Sequence, residues 1–140
     1  MIDVTKIEGV CVGSCVRKLN RMVTAIYDRA LASAGLKTSQ FSVLVTVANR
    51  EKTRPAQLIK ALQLDESTLS RNVERMCAKG WLRLTSGDDR RSHMIELTDK
   101  GAALLRNSLT LWQRAQEDIT ERLGTESVAA LRSALRKLPA

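Results

Sequence analysis

The stretch DESTLSRNVERMCAKG, residues 65–80, constrains the fold more than any other part of the chain. Asp65 is a good N-cap and Gly80 a good stop, and between them Leu69, Val73 and Met76 recur at i, i+4 and i+7. That pattern predicts an amphipathic helix over 66–79. TRPAQLIKAL, just before it, predicts a shorter helix over 54–61, capped by Thr53, with Pro55 in the first turn where a missing N–H is harmless. The break between the two is so short that they must pack at once, through Leu58, Leu62, Leu64 and Leu69.

Past Gly80, WLRLT and HMIELT alternate, placing Leu82 with Leu84 and Ile95 with Leu97 on one face of each run. SGDDRR lies between them and reads as the loop of a hairpin. Two helices at a tight turn followed by a two-stranded ribbon form a winged helix-turn-helix. In that layout the second helix enters a DNA major groove and the ribbon serves as the wing. The exposed side of the second helix carries Ser67, Thr68, Ser70, Arg71 and Arg75 beside Glu66, groups suited to phosphates and base edges. Arg54 and Gln57 in the first helix join them as candidate DNA contacts. In the wing, Arg90 and Arg91 suit the narrow minor groove, where the potential is most negative, and a carboxylate such as Asp89 can aim a neighbouring guanidinium.

The flanking segments are helical by the same rules. Cys15, Leu19, Met22, Ile26 and Ala30 stripe one face of a helix from Cys11 to Ala34 that Gly35 ends, with Arg17, Lys18, Arg21 and Asp28 on its other face. TSQFSVLVTVANR follows, with Thr38 or Ser39 as cap, and reads as a buried helix to Asn49, although Val43, Val45, Thr46 and Val47 make a strand the rival. Thr98 caps a long helix to Leu123, in which Leu105, Leu109, Trp112, Gln116, Ile119 and Leu123 form a heptad-like seam. Gly124 breaks it, and Thr125 caps a last helix striped by Val128, Leu131, Leu135 and Leu138. The expected class is therefore mainly α with a small two-stranded β wing, a single domain over 1–140. Residues 36–97 form the winged lobe, and 11–35 and 98–140 supply long terminal helices whose stripes a lone small domain cannot bury.

Charge agrees with a polyanionic partner. Lys and Arg number 23 against 15 Asp and Glu, a net +8, with a pI near 9.9. Residues 50–91 hold ten basic and six acidic side chains, so half the excess falls on the predicted lobe. Neither a membrane span nor a signal pattern is present, so a cytoplasmic protein is expected. Three cysteines without a C-x-x-C pair and one histidine suggest neither a disulfide framework nor a zinc site, and no nucleotide-binding or nucleophile motif occurs. The expectation is a protein that is not an enzyme and needs no metal or cofactor.

Taken together, GLKTSQFSVL, LQLDESTLSRNVERMCAKGWL and DDRRSHMIELTDKG resemble the MarR family of winged helix-turn-helix regulators, over nearly the whole chain. The family's D-x-R wing signature falls on Asp89 and Arg91, and its L-T-x-x-G on Leu97, Thr98 and Gly101. Met76-Cys77 stands where the family often has Leu-Glu. The resemblance implies a homodimer joined by its terminal helices, two winged lobes reading a pseudo-palindrome in double-stranded DNA, and repression relieved by a small aromatic or phenolic molecule or by cysteine oxidation. Tyr27, Arg17 and Arg21, near the family's cleft, are the candidate holders of an aromatic carboxylate or phenol. Cys11 and Cys15, one turn apart beside Arg17 and Lys18, are the candidate redox alternative.

Overall fold

In the computed structural model, residues 1–86 and 93–138 are described. The helices are α1 (Val4–Val10), α2 (Val12–Leu31), α3 (Thr38–Arg50), α4 (Pro55–Leu62), α5 (Glu66–Ala78), α6 (Asp99–Leu123) and α7 (Thr125–Lys137). The strands β1 (Lys52–Thr53), β2 (Leu82–Ser86) and β3 (His93–Leu97) form one antiparallel sheet in the order β1-β3-β2. Residues 87–92, which include Asp89, Arg90 and Arg91 of the SGDDRR loop, lie outside the described residues. No helix among the described residues is long and apolar enough to cross a membrane.

The winged lobe is built around one core. Leu44, Val47 and Leu58 are fully buried, Leu69 and Ile95 are 1% exposed, and Leu62 and Leu64 pack against them. α3 is a helix in spite of its β-branched residues, because Val43, Leu44 and Val47 fall on one buried helical face. Gly35 and Gly80 close their helices with φ of 73° and 77°, values that cost glycine nothing.

Five expectations need correction. The sheet has three strands, because Lys52 and Thr53 pair with Glu96 and Ile95 along the free edge of β3. Thr53 therefore belongs to a strand, and Arg54 is the N-cap of α4. α3 starts at Thr38 after Lys37, so neither Thr38 nor Ser39 caps it, and at α7 the cap is Gly124 rather than Thr125. The first helix is preceded by a separate seven-residue helix, α1, capped by Asp3, whose carboxylate accepts the Thr5 N–H at 3.1 Å.

Among the contacts that join the lobe to the terminal helices, two involve tryptophans. Phe41 of α3 stacks on Trp112 of α6 with ring centroids 6.1 Å apart. At the start of α6 the backbone comes so close to Trp81 that a Cβ added to Gly101 would lie 2.1 Å from the Trp81 carbonyl oxygen. That oxygen accepts the Thr98 N–H at 3.1 Å, while the Thr98 hydroxyl donates to the Gly80 carbonyl and accepts the Gly101 N–H at 3.0 Å. The glycine of L-T-x-x-G is thus required where α6 crosses the chain leaving α5.

Candidate nucleic-acid interface

α5 turns Leu69, Val73 and Met76 into the core, so by helical geometry Ser67, Ser70, Arg71, Glu74 and Arg75 face outward, and all five are exposed. Its start is fixed by Asp65, whose Oδ1 accepts the Thr68 N–H at 2.7 Å and the Ser67 hydroxyl at 2.9 Å. These donors, the Thr68 amide foremost, hold the Asp65 carboxyl below its ordinary range. Ser67 spends its one hydroxyl hydrogen on Asp65, whereas a phosphate offers only acceptors. Ser70, Arg71 and Arg75 keep their donors toward solvent, and none of them is in an ion pair with a described residue. Thr68 is half-buried.

The α4 candidates divide. Arg54 is exposed at the cap of α4, beside the face of α5. Gln57 uses its side-chain oxygen locally, accepting the Arg54 N–H at 2.9 Å and the Thr53 hydroxyl at 3.2 Å. It braces the first turn that presents Arg54.

Behind this face the base of the wing is pinned by a carboxylate. Glu96, on the central strand β3 and 9% exposed at its side chain, accepts from Lys52 of β1 and Arg83 of β2, each at 2.9 Å. Both partners sit directly opposite it in register. Lys52 first and then Arg83 hold the Glu96 carboxyl below its usual range. Sequence reading missed this triad because the Lys52 strand is two residues long and shows no alternation. Between α4, α5 and the β2–β3 ribbon lies an open cavity of about 850 Å³, walled by Ile59, Leu69, Val73 and Leu84 and rimmed by Arg54 and His93. Cys77 lines it half-buried, and burial pushes its thiol up, away from the reactive thiolate.

The candidate effector residues stand apart from this face. Arg17 and Arg21 are exposed on α2, and Tyr27 is half-buried, its hydroxyl donating to the Gln116 side-chain oxygen on α6. Burial raises the phenol's pKa, and Arg132 of α7 acts in the opposite sense. Cys11 caps α2 half-buried, and Cys15 is exposed.

Comparison with known proteins fits this geometry. Residues 34–92, from the end of the 3-10 turn after α2 to the residue before β3, match the MarR family model. The multiple antibiotic resistance protein MarR of Escherichia coli is 28% identical over 133 residues, 94% of this chain and 92% of its own. The structure of a cysteine-to-serine MarR variant complexed with operator DNA superposes with a TM-score of 0.86, covering 99% of this chain and 100% of that one at 27% identity. The M. tuberculosis transcriptional regulator MOSR, solved in complex with DNA, is 32% identical and superposes at 0.78 over 91% of this chain and 97% of its own. The chain belongs to the MarR family. On the cavity side of α5, Met76 is buried and Cys77 lines the cavity as a thiol.

Proposed function

We propose that the protein is a homodimeric, sequence-specific DNA-binding transcriptional repressor. Its α5 helices read successive major grooves of a two-fold symmetric operator, and its wings reach the flanking minor grooves. The observation that carries this is the outward face of α5, where Ser70, Arg71 and Arg75 keep free donors beside Arg54, on a lobe that holds half the net positive charge. Arg91 in the wing, aimed by Asp89, supplies the minor-groove contact in this reading, with Arg90 beside it. The operator-bound and DNA-bound relatives support it. So does the apolar surface left on the terminal helices, which a second copy would cover.

Release of DNA by a small aromatic carboxylate or phenol at Tyr27, Arg17 and Arg21 completes the reading. A ligand there acts by preferring the dimer form whose lobes are wrongly spaced for DNA.

The test is a binding titration of the dimer against the duplex upstream of its own gene. Nanomolar binding that weakens steeply with salt is expected, because phosphate contacts release counterions. Arg71→Ala is expected to cost about 1–3 kcal/mol of specific binding, the worth of a bidentate base contact. Full affinity in that variant, or a flat salt dependence, would remove α5 from the interface. An aromatic carboxylate should release the complex with Cys11→Ser and Cys15→Ser both in place, whereas release of the wild type by peroxide alone, lost in that double variant, would move the switch to those thiols.

A further inference from the structure

Within α3 itself only the Gln40 side-chain oxygen caps the start, accepting the Lys37 N–H at 3.0 Å and leaving the Thr38 amide to other acceptors. Lys37, which precedes it, has no side-chain acceptor, and the Thr38 amide is one of the donors that a helix start leaves without an intrahelical partner. The acceptor comes from another element. Asp28 Oδ1, on α2 and half-buried, takes the Thr38 N–H at 2.7 Å and the Thr38 hydroxyl at 2.6 Å. Asp28 is spent on neither Arg17 nor Arg21.

This bond pair crosses a functional boundary. α2 packs along α6 in the layer of terminal helices, while α3 carries Val43, Leu44 and Val47 into the core of the DNA-reading lobe. The chain between them is one 3-10 turn, Ala32–Ala34, then Gly35 in the left-handed region, Leu36 and Lys37. The Gly35 N–H donates to the Ala32 carbonyl at 2.9 Å and the Leu36 N–H to the Leu31 carbonyl at 3.3 Å, and Leu36 is buried. The Asp28 bonds thus add a side-chain tie to a joint already closed by backbone bonds. The Phe41–Trp112 stack nearby is apolar and makes no hydrogen bond across the boundary. Bonds to a carboxylate are short and directional.

We propose that Asp28 is a positioning residue for operator recognition: by gripping the first residue of α3 it sets the angle of each lobe on the terminal helices, and so the distance between the two α5 helices of a dimer. The inference rests on the dimeric DNA-reading function proposed above. Asp28 touches no DNA in this account; its effect reaches the operator only through half-site spacing.

The full-length wild-type dimer is first used to select bound sites from a randomised duplex pool. The half-sites of the selected site are then moved together and apart by one and two base pairs. Wild type is expected to prefer the selected spacing by about ten-fold or more over its neighbours, a difference of about 1.4 kcal/mol. Asp28→Ala should flatten that preference to about two-fold while remaining dimeric, its affinity for shifted sites nearly unchanged. Asp28→Asn keeps an amide oxygen that accepts from Thr38 and should retain most of the preference, and Thr38→Val, which keeps only the amide bond, should fall between. Equal weakening of Asp28→Ala at every spacing would reduce Asp28 to a helix cap and overturn the proposal. Should Asp28→Ala fail to fold, wild-type spacing preference in Thr38→Val would overturn it as well. Selection of no two-fold symmetric site by wild type would instead remove the DNA-reading function on which it rests.

Discussion

The winged lobe and the terminal helices treat apolar residues in opposite ways. In the lobe, Leu44, Val47 and Leu58 are fully buried and Trp81 is 7% exposed. On the terminal helices, Met22, Leu109, Leu131 and Leu135 remain 43–81% exposed. The lobe closes its core within one chain. The terminal helices carry stripes at the spacing of a packed face and leave much of them to solvent, which a stable monomer rarely does. Stability of the first region is therefore a property of the chain, and that of the second a property of the chain's concentration.

Truncation should separate the two most sharply. Leu58→Ala is expected to cost about 2–5 kcal/mol of unfolding free energy, as a buried leucine replaced by a cavity does, at any protein concentration. Leu135→Ala, at a site 81% exposed in one chain, should lower the urea midpoint only to the extent that it weakens the dimer, so its effect shrinks as concentration rises. A concentration-independent loss at Leu135 would break the comparison.

The next largest effect lies where the regions meet. Gly101→Ala places a methyl against the Trp81 carbonyl, and that backbone is held by Thr98 and cannot withdraw freely. A cost of about 1–3 kcal/mol is expected, the usual range for overpacking. Calorimetry should show lobe and terminal helices melting together at a lower temperature. An unchanged transition would mean the crossing is looser than the contact distances indicate.

The smallest effect belongs to the lobe alone. Glu96 has its carboxyl held below its ordinary value of 4.5 by Lys52 and Arg83. The stabilisation is complete above that value and is lost as the pH falls through the lowered folded-state value. Glu96→Gln should make the acid side of the stability profile shallower and leave dimer affinity unchanged, as read by denaturation and sedimentation at matched pH. An identical acid profile would remove the triad from the stability account.

Much of this architecture could be read directly from sequence where a single segment carries its own signal. α5 is such a case, with Asp65, the Leu69, Val73 and Met76 stripe and Gly80 within sixteen residues. Features that depend on a distant partner could not. β1 exists because Lys52 and Thr53 find the edge of β3 more than forty residues later. The acceptor for the first amide of α3 comes from Asp28, ten residues back on another helix. For the candidate site, residue types on α5 pointed to a DNA-facing surface. Which hydroxyls are already engaged, as at Ser67, needs three-dimensional distances.

A hydroxyl-radical footprint of the wild-type dimer on a selected or upstream site tests the central claim most directly. Two equally protected half-sites, centred about one helical turn, ~10 base pairs, apart and related by a two-fold axis, are predicted for two α5 helices held by paired terminal helices. Protection of a single half-site at saturating protein would contradict a dimeric reader built on those helices.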